Sequence, residues 1–205
     1  MNFKSILKNH TELEESIENI IQYGQEIIAD LPYREKKTAK EKRMLLEALL
    51  IRACALWERF IEKELILSVC LDTNKLIKEI GLPERAKLNT KLIKAILFSD
   101  HYRDFHNVER SIGFFKKIIE DTYNPFTLLT KTQKQKLDFN YKMRNYLSHY
   151  SDFSQRKLYN DYNRLYDYKK FMEPGNFLLK NNGKHFEDLI NNFNLMSARM
   201  RQKFK

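Results

Sequence analysis

A chain of 205 residues with 37 basic against 27 acidic side chains, a formal net of +10, is long enough for one well-buried core, and its charge suits a polyanion such as RNA better than an acidic protein or a neutral metabolite. Five glycines and four prolines against many Leu, Ile, Lys, Glu and Asn predict long helices with few tight turns, so an all-α class is expected. No apolar run approaches the ~18 residues that span a bilayer, and Met1-Asn2-Phe3-Lys4 does not lead into a signal-peptide core, which argues against a membrane protein and for the cytoplasm. Charge alone leaves a membrane surface open.

Residues 2–30 read as a first helix, with Phe3, Ile6, Leu7, Leu13, Ile17, Ile20, Ile21 and Ile27 at helical spacing and Glu12, Glu14, Glu15 and Glu18 opposite. Leu31-Pro32 ends it, and the charged segment 33–42 reads as a solvated linker and helix start in preference to a specific RNA contact. Residues 38–70 form the most apolar helix: between Met44 and Trp57 only Glu47 and Arg52 carry charge, as in a central helix packed on several sides. Trp57, the single tryptophan, is expected to anchor the core and not to stack on a base. Cys54 and Cys70 lie on this helix about 24 Å apart along its axis, too far to bond each other, and read as buried thiols of a reducing compartment.

A short helix at 76–80 and a longer one at 91–98 are separated by Gly81-Leu82-Pro83. The run Ser99-Asp100-His101-Tyr102-Arg103-Asp104-Phe105-His106 reads as a polar loop: its histidines, five apart, do not share a helical face, and no second ligand cluster accompanies them, so no metal is expected. An amphipathic helix at 108–120 and the aromatic turn Tyr123-Asn124-Pro125-Phe126 precede a helix starting near Thr130–Thr132, where a threonine cap is available. Beyond it, 156–171 interleaves Tyr159, Tyr162, Tyr166 and Tyr168 with Arg156, Lys157, Arg164, Lys169 and Lys170. That pattern suits either an ordinary amphipathic helix or a base-stacking, phosphate-holding surface. Glu173-Pro174-Gly175-Asn176 and Asn181-Asn182-Gly183 read as turns, and 184–205 as a closing helix with a solvated basic end from Arg199.

The chemistry concentrates in Met143-Arg144-Asn145-Tyr146-Leu147-Ser148-His149-Tyr150. On a helical wheel Phe139, Met143, Tyr146, Leu147 and Tyr150 form one apolar face. Asn145 and His149, and likewise Arg144 and Ser148, are paired four apart on the opposite side. Arg144 and His149 are about 140° apart, so one helix makes an open site and a second copy across a two-fold axis would close it. The turn chemistry of Ser151-Asp152-Phe153-Ser154 predicts that the helix ends close to His149, where the helix C-terminus favours imidazolium while Arg144 and Lys142 oppose it.

Arginine, four intervening residues and histidine, with asparagine after the arginine, resembles the Rx4-6H signature of the HEPN superfamily of all-helical ribonucleases and RNA-binding domains. The order of elements, with an upstream helix carrying Leu56-Trp57-Glu58-Arg59-Phe60-Ile61-Glu62 and a final helix after the motif, is similar to the RiboL-PSP-like branch from roughly Lys40 onward. Ser151 stands where members paired with a nucleotidyltransferase antitoxin often carry tyrosine; here the tyrosine, Tyr150, comes one residue earlier. The resemblance implies a single HEPN-like up-and-down helical bundle with extra N-terminal and C-terminal helices, residues 1–36 forming the N-terminal helix and linker and 37–205 the bundle. It further implies a homodimeric toxin or antiviral endoribonuclease, with an antitoxin or defence protein as partner, or else a non-catalytic RNA-binding or interaction module.

Cleavage through the RNA's own 2′-hydroxyl needs a base, an acid and cations for the charge on phosphorus, and no metal or other cofactor. By the resemblance, His149 from each protomer would share the acid and base roles and Arg144 would hold the phosphate. Asn145 would orient His149 or hold the 2′-hydroxyl, with Ser148 and Tyr150 as wall residues. Glu58 is read either as half of a structural ion pair or as orienting Arg144 or His149. Lys142, Lys136, Arg156 and Lys157 are the expected RNA contacts.

Overall fold

The computed structural model describes residues 3–29, 38–98, 105 and 107–204. Among the described residues every regular element is helical and there is no strand. Helices α1 (Phe3–Ala29), α2 (Ala39–Leu71) and α9 (Lys184–Arg201) pack together, and α6 (Lys131–His149) lies against both α2 and α9. The smaller α3 (Asn74–Glu79), α4 (Thr90–Phe98), α5 (Val108–Ile118), α7 (Asp152–Tyr166) and α8 (Pro174–Leu179) close the periphery. No helix among the described residues is long and apolar enough to cross a membrane.

Helix α2 begins at a capping box: Thr38 Oγ1 accepts from the Glu41 amide at 3.2 Å, and the Glu41 carboxylate accepts from the Thr38 amide at 2.7 Å. Trp57 is 1 % exposed, with the rings of Phe60 and Phe193 centred 5.2 and 5.5 Å away, a core anchor. The packing of α2 is one-sided over its first half, however. Met44, Ala48, Ile51 and Ala55 recur at helical spacing on a face left open to solvent, so this part of α2 is a flank of the bundle and not its centre. Cys54 and Cys70 are unbridged, and Cys70 is only half-buried, near Thr90 Oγ1 at 3.7 Å.

Gly24 lets α1 approach α9: a Cβ there would stand 2.1 Å from the buried Phe186 ring. Gly24→Ala gains about 1 kcal/mol of helix propensity but overpacks a ring with nowhere to move, at about 1–3 kcal/mol. A net loss of stability, seen as a lower urea midpoint with unchanged slope, is expected.

The same three helices share a buried polar network. His10 Nδ1 lies 2.7 Å from Ser197 Oγ, and Ser197 donates its only proton to Glu14 Oε1 at 3.1 Å, so Nδ1 carries the hydrogen between histidine and serine. Arg201 Nη1 reaches the other Glu14 oxygen at 3.2 Å. On the opposite ring edge His10 Nε2 faces Glu64 Oε1 at 3.4 Å, both side chains wholly buried. Asn9 Nδ2 donates to Glu64 Oε2 at 3.0 Å and to the Phe60 carbonyl at 3.3 Å.

Two sequence expectations change at the C-terminal end. Pro174 starts α8 in place of a turn, because its fixed φ suits a first helical position and the Gly175 amide donates to Glu47 Oε1 of α2 at 2.7 Å. The basic end of α9 is not simply solvated: Arg199 Nε donates to the Leu128 carbonyl at 2.6 Å, Arg201 pairs with Glu14, and Phe204 is buried.

Candidate functional site

Helix α6 starts at a second capping box, in which Thr130 Oγ1 accepts from the Gln133 amide and Gln133 Oε1 accepts from the Thr130 amide. Leu137, Phe139, Met143 and Tyr146 form its buried face. The helix stops at His149 because Tyr150 turns left-handed, with φ 45°, while its amide still donates to the Tyr146 carbonyl at 2.8 Å. This turn corrects the expected apolar stripe. Tyr150 leaves the face that Met143 and Tyr146 follow and stands 64 % exposed, its ring centred 5.2 Å from that of Tyr146.

Tyr146 is the fixed partner of the two. Its hydroxyl donates to the Glu173 carboxylate at 3.1 Å, and burial together with that carboxylate pushes the phenol up to about 12. Partial burial and the charges of Glu47 and Glu173 likewise raise the Tyr150 phenol, so both rings stay neutral at physiological pH.

On the solvent side Arg144 and Asn145 are half-buried while Ser148 and His149 are exposed. Arg144 Nη1 donates to Asn145 Oδ1 at 3.3 Å, so the amide serves the arginine, where helical spacing had paired it with His149. Ser148 Oγ donates to the Arg144 carbonyl at 2.9 Å, meeting its partner through the backbone and not through the guanidinium. Burial raises the Cys54 thiol to about 12, with Glu58 raising it and Arg144 lowering it.

The expected RNA-binding cations are placed unequally. Lys142 Nζ is 2.6 Å from Asp161 Oδ2, and Arg164 takes the other oxygen at 2.8 Å, so Lys142 ties α6 to α7 through a buried carboxylate. Lys136 is half-buried and, thirteen residues before His149, lies about 20 Å from it along the helix. Arg156 and Lys157 are exposed in α7, Lys157 with its ammonium 4.1 Å from the centre of the Phe153 ring.

The tyrosines of α7 and of the segment after it mostly turn inward. Tyr162 is fully buried, Tyr159 donates to the Lys169 carbonyl at 2.9 Å, and the Tyr168 hydroxyl meets His185 Nε2 at 3.1 Å. The amphipathic-helix reading of 156–171 therefore holds as far as Tyr166, where a left-handed Asp167 ends the helix, and the outward aromatic in α7 is Phe153, 63 % exposed, which its place among turn residues hides in the sequence. Its signal was the N-cap: Ser151 Oγ accepts from the Ser154 amide at 3.3 Å, which starts α7 early enough to place Phe153 in a helical first turn.

Among the described residues no group of three His, Cys, Asp or Glu side chains is disposed to hold a metal ion. Most of the histidine–aspartate run, residues 99–104 and His106, lies outside the described residues. No family model, curated protein or solved structure matches the chain.

Proposed function

We propose that this chain is a HEPN-type endoribonuclease, a toxin or antiviral-defence effector that cleaves RNA as a homodimer without a metal ion. The observation that supports it most directly is the placing of Arg144 and His149 on the solvent side of a helix that stops at His149. Helix α2, which packs against α6, leaves Met44, Ala48, Ile51 and Ala55 uncovered. The Gly175 amide donates to Glu47 Oε1 of α2 and the Tyr146 hydroxyl to Glu173, so α2, the start of α8 and the end of α6 are neighbours. A second copy laid across the stripe would bury it and bring two His149 and two Arg144 together.

In that pocket one imidazole removes the proton of the 2′-hydroxyl and the other protonates the leaving 5′-oxygen. Arg144, steered by Asn145 at 3.3 Å, presents its planar fork to the phosphate. The net charge of +10 draws the polyanion in. Ile51→Asp tests the arrangement, because an isologous contact suffers the charge twice per dimer. The variant is expected to run as a monomer in light scattering and to lose about a hundredfold in cleavage rate at equal protein concentration. A monomer of full activity would contradict the composite site.

The second reading is a non-catalytic RNA-binding or interaction module. The ion pair of Lys142 with Asp161 favours it, since the carboxylate offsets positive charge close to Arg144 in sequence. Salt-sensitive binding of RNA that stays intact would select this reading.

A further inference from the structure

Tyr150 and Phe153 are the two most exposed large apolar side chains among the described residues, at 64 % and 63 %, and they are three residues apart at the junction that follows His149. Their exposure is built in. The left-handed turn at Tyr150 throws its ring off the α6 core face, and the Ser151 cap then starts α7 with Phe153 in its outward first turn. Each ring has one supported side: Tyr146 lies 5.2 Å from Tyr150, and the Lys157 ammonium lies 4.1 Å from the Phe153 ring centre. We propose that Tyr150 and Phe153 form a shelf on which unpaired nucleobases stack beside His149, making them specificity-determining residues that restrict the substrate to single-stranded RNA.

This rests on the RNA-cleaving reading above and adds to it which RNA is taken. Aromatic faces accept any base that is free of its partner, whereas a base inside a duplex has both faces occupied by its neighbours. Two exposed cations that follow the rings in α7, Arg156 and Lys157, are suited to the phosphates between such bases. The same chemistry separates the shelf from the Met44–Ala55 stripe of α2. That stripe carries small and aliphatic residues with a single cation, Arg52, and suits a protein surface.

The test uses the full chain and a short fluorescein-labelled 2′-O-methyl oligonucleotide, which has no free 2′-hydroxyl and is not cleaved, as a single strand and as a blunt duplex. Tyr150→Asn, whose side chain tolerates the left-handed backbone, is combined with Phe153→Ala. Wild type is expected to prefer the single strand, and the double variant to bind it about tenfold or more weakly with an unchanged salt slope, since the phosphate contacts survive. Tyr150→Phe with Phe153→Tyr is expected to restore binding. Equal binding by wild type and the double variant, or no preference for the single strand, overturns the shelf alone and leaves the nuclease reading standing. Loss of the dimer in the double variant by light scattering reassigns both rings to the subunit interface and also overturns it. No binding of either oligonucleotide by wild type overturns the RNA reading itself, and the shelf with it.

Discussion

Glu64→Ala is expected to cost about 3–5 kcal/mol, a large part of the stability of a domain this size, and to appear as a collapse of the urea midpoint. The carboxylate is wholly buried and takes an Asn9 amide hydrogen at 3.0 Å while facing His10 Nε2 at 3.4 Å. Removing it leaves the Asn9 amide without that acceptor and opens a cavity between α1 and α2 against the buried histidine edge. Replacing both partners, as His10→Phe with Glu64→Met, is expected to recover most of the loss. Ser197 then still donates to Glu14, and Asn9 to the Phe60 carbonyl, so few polar groups are orphaned. Additive losses in this double-mutant cycle would show that His10 and Glu64 are not coupled.

His149→Ala is expected to reduce RNA cleavage by at least about a thousandfold, since in a two-fold dimer it removes both the base and the acid, each worth about 10²–10⁴. Stability is expected to change by no more than about 0.5 kcal/mol, because the side chain is exposed and the helix end is held by the Tyr150 amide instead. Ser148→Ala is the control: its hydroxyl meets only the Arg144 carbonyl, and cleavage should stay within about twofold. Equal losses in both variants would mean that local structure, not the imidazole, carries the effect.

Much of the framework was legible in the chain because its signals are local. Thr38 with Glu41 and Thr130 with Gln133 are capping boxes three residues wide, and the turn residues after His149 marked the end of α6. The exposed placing of His149 and Ser148 also followed from helical periodicity. What could not be read depends on distant partners or on a single backbone angle. Asp161, nineteen residues on, captures Lys142; Ser197 meets His10 across 187 positions; and neither pairing has a periodic trace. A left-handed Tyr150 is uncommon for a bulky residue, so continuing the helix by one position sent its ring to the wrong side. The open flank of α2 was hidden for the opposite reason: Met44, Ala48, Ile51 and Ala55 have the composition of a buried stripe, and only the arrangement of the other helices leaves them uncovered.

Arg144 and His149 are proposed to cleave RNA through its own 2′-hydroxyl. The most direct measurement is incubation of end-labelled, structured RNA with wild type and with His149→Ala in EDTA, with analysis of the product ends and light scattering on both proteins. Cleavage by a wild-type dimer to 2′,3′-cyclic phosphate ends is expected, and none by a folded His149→Ala dimer. Intact RNA with wild type, or equal cleavage by both proteins, would contradict this mechanism.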